Sequence, residues 1–233
     1  MRYLRNILTI IVIGSPFQLF GQGIGKDSLF TFEDTTFDGR VQPFLVDNRT
    51  YSPYYNDISN FNFSSSWDVE SYKHSTDWLQ QQNHEFIKKK PLVPWLKWVP
   101  LNLYKGKFYV YRPCDFYNHF NQSINDTSFI DWTVEGPAAN KIVEQKKIDT
   151  ITFEYELIGI YSQQRKVIIH MIDTENGIAV FEEISDGTEN FFYLMIAADK
   201  IKNVPIIVNH CPTQKQLELL FEEPNFQTLL NNK

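Results

Sequence analysis

The side chains of this 233-residue chain best suited to chemistry are two cysteines, five histidines and one close pair of glutamates, and none stands in a pattern that specifies a reaction. Cys114 and Cys211 lie near the ends of the first and last clear strand-like runs, so an exported location would allow a disulfide between them. The bridge requires Cα atoms within about 7 Å, which the sequence leaves open; two buried thiols are the alternative. A cysteine nucleophile would use Cys114 with His119, or Cys211 with His210, but nothing around either pair specifies activation. His74, His84, His119, His170 and His210 lack the helical or strand spacing of metal ligands, so no metal and no cofactor are expected. Glu154 and Glu156 project from one strand face and could resemble the carboxylate pair of a glycoside hydrolase. The simpler reading is two acids on the solvent side of an amphipathic strand. With no glycine-rich phosphate loop and no G-x-S-x-G elbow, an enzyme is not specified.

The elements that must position these residues are mostly strands. Ile151 to Leu157 alternates apolar and polar residues strictly, as a half-buried strand does. Lys166 to Ile172 is apolar on both faces, as in a strand covered on two sides. Asn176-Gly177 then predicts a hairpin into Ile178-Ala179-Val180-Phe181. Turns at Ser185 to Thr188 and at Asn203 to Pro205 bracket Phe191 to Ala197 and Ile206 to Val208. Upstream, a strand is expected from Tyr104 through Arg112 and another from Ser128 to Val134. Lys141 to Lys147 reads as a short strand or a connection. Six or seven strands from Tyr104 to Val208, joined by connections too short for helical crossovers, should pair antiparallel as a meander. Thr76 is placed to cap a helix from Asp77 to the lysines at 88–90, and Thr213 with Gln216 to cap a C-terminal helix bearing Leu217, Leu220 and Phe221. Pro91, Pro94 and Pro100 keep Leu92 to Leu101 extended or irregular, with Trp95 and Trp98 as plugs for the end of a sheet or barrel.

Met1 to Gly21 has the pattern of a secretory signal peptide: Arg2 and Arg5, the apolar run Ile7 to Ile13, then Gly14, Ser15 and Pro16. The expected organisation is a signal peptide at 1–21, an irregular aromatic-rich arm at 22–74, and a single β-rich domain with flanking helices at 75–233. The arm is expected to be ordered, because disordered segments are poor in aromatics; Tyr51, Tyr54 and Tyr55 within it could form a stacking platform. The leader contains two arginines and no acid, so its removal takes the formal charge from -6 to -8. An acidic chain lacks the clustered cations that phosphate neutralisation needs, so nucleic acid is not an expected partner. The mature protein is expected to be periplasmic or secreted, without a transmembrane span.

A meander of six to eight strands followed by a helix resembles the lipocalin and calycin group in layout, although the Gly-x-Trp signature of lipocalins is lacking. The resemblance implies an up-and-down barrel with a C-terminal helix packed outside it. A two-layer sandwich with the arm covering an edge is the other architecture that fits. Aromatics make up 15% of the chain, more than one modest core needs, so some are expected to line a cavity. The functional expectation is a binding module for a small apolar or amphipathic ligand, with Tyr109, Tyr111, Arg112 and Trp132 as candidate ligand contacts. Tyr109 and Tyr111 share one strand face and Arg112 the other, so not all can serve one cavity. The competing readings are a structural or interaction module of the bacterial envelope with a filled core, and a hydrolase.

Overall fold

The strict alternation after Ile151 is realised as a strand whose inward residues Phe153, Tyr155 and Leu157 are buried while Glu154 and Glu156 face outward. Lys166 lies between the two acids at 3.3 and 3.8 Å, which makes them ion-pair partners on a solvent face. The computed structural model describes residues 27–36, 38–115, 120–161, 164–185, 187–213 and 216–231. The signal-peptide segment and His119 lie outside the described residues. Among these residues the chain is mainly β. Its strands are β1 (Leu29–Thr35), β2 (Val41–Asp47), β3 (Lys97–Tyr104), β4 (Lys107–Arg112), β5 (Asn121–Ile124), β6 (Ser128–Thr133), β7 (Gly136–Lys147), β8 (Thr152–Gly159), β9 (Arg165–Asp173), β10 (Ile178–Ser185), β11 (Phe191–Ala197) and β12 (Ile206–Val208). The helices are α1 (Tyr54–Ser59), α2 (Ser66–Gln81) and α3 (Phe226–Asn231).

β5 to β11 form an antiparallel meander, and β3 pairs with β11 on one side and β5 on the other, so eight strands close into a barrel. That closure decides between barrel and sandwich, and it is consistent with a calycin-like layout. β4, β12, β2 and β1 extend from the end of β3 as a second sheet. β12 joins β4 in parallel, through Ile206↔Val110 and Val208↔Arg112, so the expectation of uniformly antiparallel pairing fails there. The same strand pairs antiparallel with β2, and the aromatic arm is thus tied into the sheet by backbone hydrogen bonds.

Pro100 sits inside β3 without leaving a ladder bond unmade. Lys97 O accepts from Ala198 N, so by alternation the nitrogen of Pro100 faces the opposite edge. On that edge β5 pairing stops at Trp98 and β4 pairing starts at Leu101, and an imino nitrogen is tolerated in the gap. Lys105 and Gly106, expected within a strand, instead form the two-residue turn between β3 and β4, both with positive φ, as a hairpin twist requires. The Asn176-Gly177 hairpin forms where the sequence places it, between β9 and β10.

The barrel interior is filled by Trp98, Ile124, Phe129, Tyr155, Leu157, Val167, Ile169, Phe181 and Met195, among others. Outside the β10, β11 and β3 wall, Val180, Leu194, Ile196, Val99 and Leu101 pack under α1, the Ile201–Asn203 turn and α3. This cover on both faces accounts for the apolar run from Phe192 to Ala197, while Phe191 at its start is exposed.

Both helix expectations need correction. The helix expected from Asp77 is α2, which starts at Ser66, eleven residues nearer the N-terminus. Ser65 and Asp68 form a reciprocal capping box, and the helix ends before Asn83, which has φ +64. The described residues of the expected C-terminal helix, 213 and 216–221, are not helical. Glu222 N donates to Leu103 O, Thr36 bridges Leu219, and the amides of Gln42 and Asn209 both donate to Leu217 O. These long-range bonds outweigh local helix propensity, and the C-terminal helix that packs on the sheet is the short α3.

One consequence of the β1 edge is measurable. The Lys105 ammonium and the Tyr104 hydroxyl hold the Asp34 carboxyl down at about 2. A depressed carboxylate contributes stability that is complete above the unfolded value of 3.8 and is lost as pH falls through about 2. NMR titration of the Asp34 carboxyl should therefore give a midpoint near 2, and Lys105→Ala should return it towards 3.8; a wild-type midpoint at 3.8 would show that the pair is broken in solution.

Candidate functional site

The structure separates the four aromatic and cationic candidates. Tyr109 is buried against Tyr104, with ring centroids 6.0 Å apart. Tyr111 lies on the same face of β4, and its hydroxyl donates to Glu218; burial and this carboxylate push the phenol well above its ordinary range. Arg112 points to the opposite face, 3.5 Å from Asp57 and over the Tyr54 ring. Trp132 lies on the outer wall of the barrel, against Phe61 and Phe63, with its indole nitrogen donating to Ser123 Oγ. None of the four points into the barrel. Tyr51, Tyr54 and Tyr55 do not share a platform either, since Tyr51 is exposed while Tyr55 is in the core.

Tyr111 borders a cleft of about 260 Å³ between the barrel mouth and the second sheet, with Phe120, Glu218 and Phe221. Its carboxylate is already saturated. Glu218 accepts from Tyr111 OH, Asn209 Nδ2 and the backbone N–H groups of Cys114 and Asp115. Cys114 and Cys211 are joined in a disulfide there, Cα atoms 5.8 Å apart, just beyond the paired ends of β4 and β12. With both sulfurs bonded, neither is a nucleophile. These features pin the chain rather than receive a ligand.

Sequence reasoning missed the charged cluster inside the barrel. Arg165, the first residue of β9, donates through Nη2 to Asp131 and through Nη1 to Glu183 at 2.8 Å. Asp131 also accepts from Gln122 and Asn140, and Gln122 reaches the Tyr193 hydroxyl at 3.0 Å. Side-chain exposures of 8% for Arg165, 12% for Asp131 and 22% for Glu183 put this network largely out of water. Burial disfavours the guanidinium charge, but Asp131 and Glu183 outweigh it and hold the group firmly protonated. Asp131 lies 34 residues from Arg165 in the chain, so no local pattern could announce the pair.

The receptive surface is on the outside. On α2, Trp67, Glu70, Ser71 and His74 fall at i, i+3, i+4 and i+7, one helix face. That face lies over the start of β7, where β8 pairing has ended at Asn140↔Gly159. The Ala139 N–H just beyond that last pair donates instead to Ser75 Oγ of α2. Between the helix face, the Glu135 to Ala138 stretch and Ile160-Tyr161 at the end of β8 is a cleft of about 490 Å³. Its floor is glycine, proline and alanine. Trp67 and Tyr161, 60% and 67% exposed, line it as large aromatic surfaces open to a ligand. The Tyr161 hydroxyl donates to Glu135 at 3.3 Å. Trp132 is the cross-strand neighbour of Pro137, so of the sequence candidates it comes nearest to this cleft.

The cleft is poorly arranged for nucleophilic catalysis. Ser71 Oγ donates to Glu135 O and Ser75 Oγ to Tyr72 O, so neither hydroxyl is offered to His74 as a base. Among the described residues no group of three His, Cys, Asp or Glu side chains could hold a metal ion. His170, the strand histidine, contacts Glu182 at 3.0 Å on the outer wall.

Gly136 sets the width of the cleft. At φ +94 it occupies the left-handed region, and a Cβ there would lie 2.5 Å from Ser71 Oγ and 3.1 Å from Trp67 Nε1. Gly136→Ala is expected to cost more than about 1 kcal/mol and to push Trp67 outward, read as a lowered melting temperature with altered tryptophan fluorescence. Unchanged values in both would mean that α2 does not seat on β7 as described.

The fold and the cleft together define an eight-stranded antiparallel barrel with a filled interior and a helix-walled recess on its outer surface. No family model, curated protein or solved structure matches the chain. Among the described residues no helix is long and apolar enough to cross a membrane.

Proposed function

We propose that this protein is an exported, lipocalin-like binding module for a small amphipathic ligand, seated in the cleft between α2 and β7 instead of inside the barrel. One observation carries the reading: two exposed aromatic side chains, Trp67 and Tyr161, line an apolar-floored recess of about 490 Å³. That volume falls within the usual range of small-molecule sites, about 300 to 1,000 Å³. Exposed aromatic surface has a free-energy cost that a bound apolar group removes. Export follows from the signal-peptide pattern of residues 1–21.

Native mass spectrometry of the protein purified from its own host's envelope fraction tests the reading. A reproducible added mass that is lost on denaturation, and lost in Trp67→Ala while the fold is retained, is the expected result. The bare polypeptide mass in wild type would transfer the assignment to the interaction module, a role that a barrel with a filled interior can also serve.

A further inference from the structure

Resting on that binding reading, we infer that the ligand of the α2–β7 cleft carries an ammonium head group, held against the Trp67 and Tyr161 rings and facing the carboxylates of Glu70 and Glu135. Three features of the recess point to a cation.

The first is its charge. Glu70 reaches the cleft from the helix and Glu135 from the β6–β7 turn, and no lysine or arginine is among the described residues that line it. An anionic head group would meet two like charges with no lysine or arginine to offset them; an ammonium would meet two opposite ones. The second is the kind of aromatic surface present. Indole and phenol rings attract a cation through the negative potential of their faces, most strongly for tryptophan, and both are here in one recess. The third is the hydrogen bond from the Tyr161 hydroxyl to Glu135. Donation to a carboxylate increases the electron density of the phenol ring and strengthens its attraction for a cation. It also leaves the Tyr161 hydroxyl proton committed, so a sugar stacked on that ring would find an occupied donor. The apolar floor of Gly136, Pro137 and Ala138 suits the methyl or methylene groups that surround an ammonium nitrogen.

The class is therefore an amine or quaternary ammonium compound with a short apolar body. Choline and its neutral isostere, in which a quaternary carbon replaces the nitrogen, separate the charge from the shape. Isothermal titration of the whole mature protein is expected to show choline bound at least about tenfold more tightly than the isostere. In Glu70→Gln with Glu135→Gln, circular dichroism and melting should stay close to wild type, because both side chains are exposed, and the preference should fall to about twofold or less. Trp67→Ala should weaken both compounds.

Equal affinity for choline and the isostere would overturn the ammonium inference and leave the binding module standing, since burial alone would then drive association. Binding of a methyl glycoside in place of choline would also overturn it, in favour of a carbohydrate ligand. No heat from either probe at about 1 mM, with no added mass in the native spectrum, would remove both the inference and the binding reading beneath it.

Discussion

Arg165→Met should lower the free energy of unfolding by about 3 to 5 kcal/mol, the usual effect of removing one partner from a buried ion pair. The substitution keeps much of the side-chain volume but leaves Asp131 and Glu183 without the cation between them, in a network only 12% and 22% exposed on the acidic side. At roughly 2 to 4 °C per kcal/mol for a chain of this size, the melting temperature should fall by about 10 °C. Asp131→Asn should cost less than Arg165→Met, because Glu183 still holds the guanidinium and the remaining amide oxygen still accepts from Asn140, although the new amide nitrogen faces the Gln122 donor. The double variant should cost less than the sum of the two, since the residues act as one unit. Arg165→Lys should not restore stability: a single ammonium cannot reproduce the fork that bonds two carboxylates at once. A loss below about 1 kcal/mol for Arg165→Met would show that water enters the barrel mouth and solvates the acids.

Cys114→Ser combined with Cys211→Ser is expected to cost about 4 to 5 kcal/mol, because the bridge closes a loop across a sequence separation of 97 and removes that entropy from the unfolded chain. Thermal unfolding of the double variant, and of the wild type in reductant, should show the same drop of about 10 to 15 °C. The effect should be global. The bridge ties the ends of β4 and β12, the parallel pair that holds the second sheet together, and the intervening chain includes most of the barrel. A loss below about 1 kcal/mol would mean that the four donors on Glu218 hold the same segment without the covalent link.

What could be read from the sequence was what depends on neighbours in the chain. The alternation in β8 and the Asn176-Gly177 hairpin are local statements, and each is realised, whereas the two-sided cover expected of Lys166 to Ile172 is complete on one face only, with Lys166, Ile168, His170 and Ile172 half-buried on the other. The capping box that starts α2 was equally local, in Ser65 and Asp68, but Thr76 offered a competing cap and the lysines at 88–90 a plausible end. β1 and β2 escaped notice because β1 is an edge strand, exposed along much of its length, and its alternation is correspondingly weak. Residues 213–221 have a helical stripe, but Glu222 and Glu223 oppose the helix dipole, and the extended segment gains long-range hydrogen bonds that no helix there could make.

The candidate site divides the same way. The helix face carrying Trp67, Glu70, Ser71 and His74 is written in the sequence as an i, i+3, i+4, i+7 pattern, once the helix is placed correctly. Its opposite walls come from Glu135 to Ala138 and from Tyr161, brought there only because β6, β7 and β8 pair in one register and α2 seats on a glycine. By itself the sequence determined the strand periods, the tight turns, the acidic charge and the signal-peptide pattern, since each depends on side chains a few residues apart. The tertiary structure alone decided that β3 closes the barrel on β5, that Arg165 meets Asp131 inside it, that Cys114 meets Cys211, and that Tyr109 and Tyr111 pack in the second sheet while Trp132 lies on the barrel's outer wall. Those outcomes depend on which distant surfaces bury each other, and burial is a property of the whole chain.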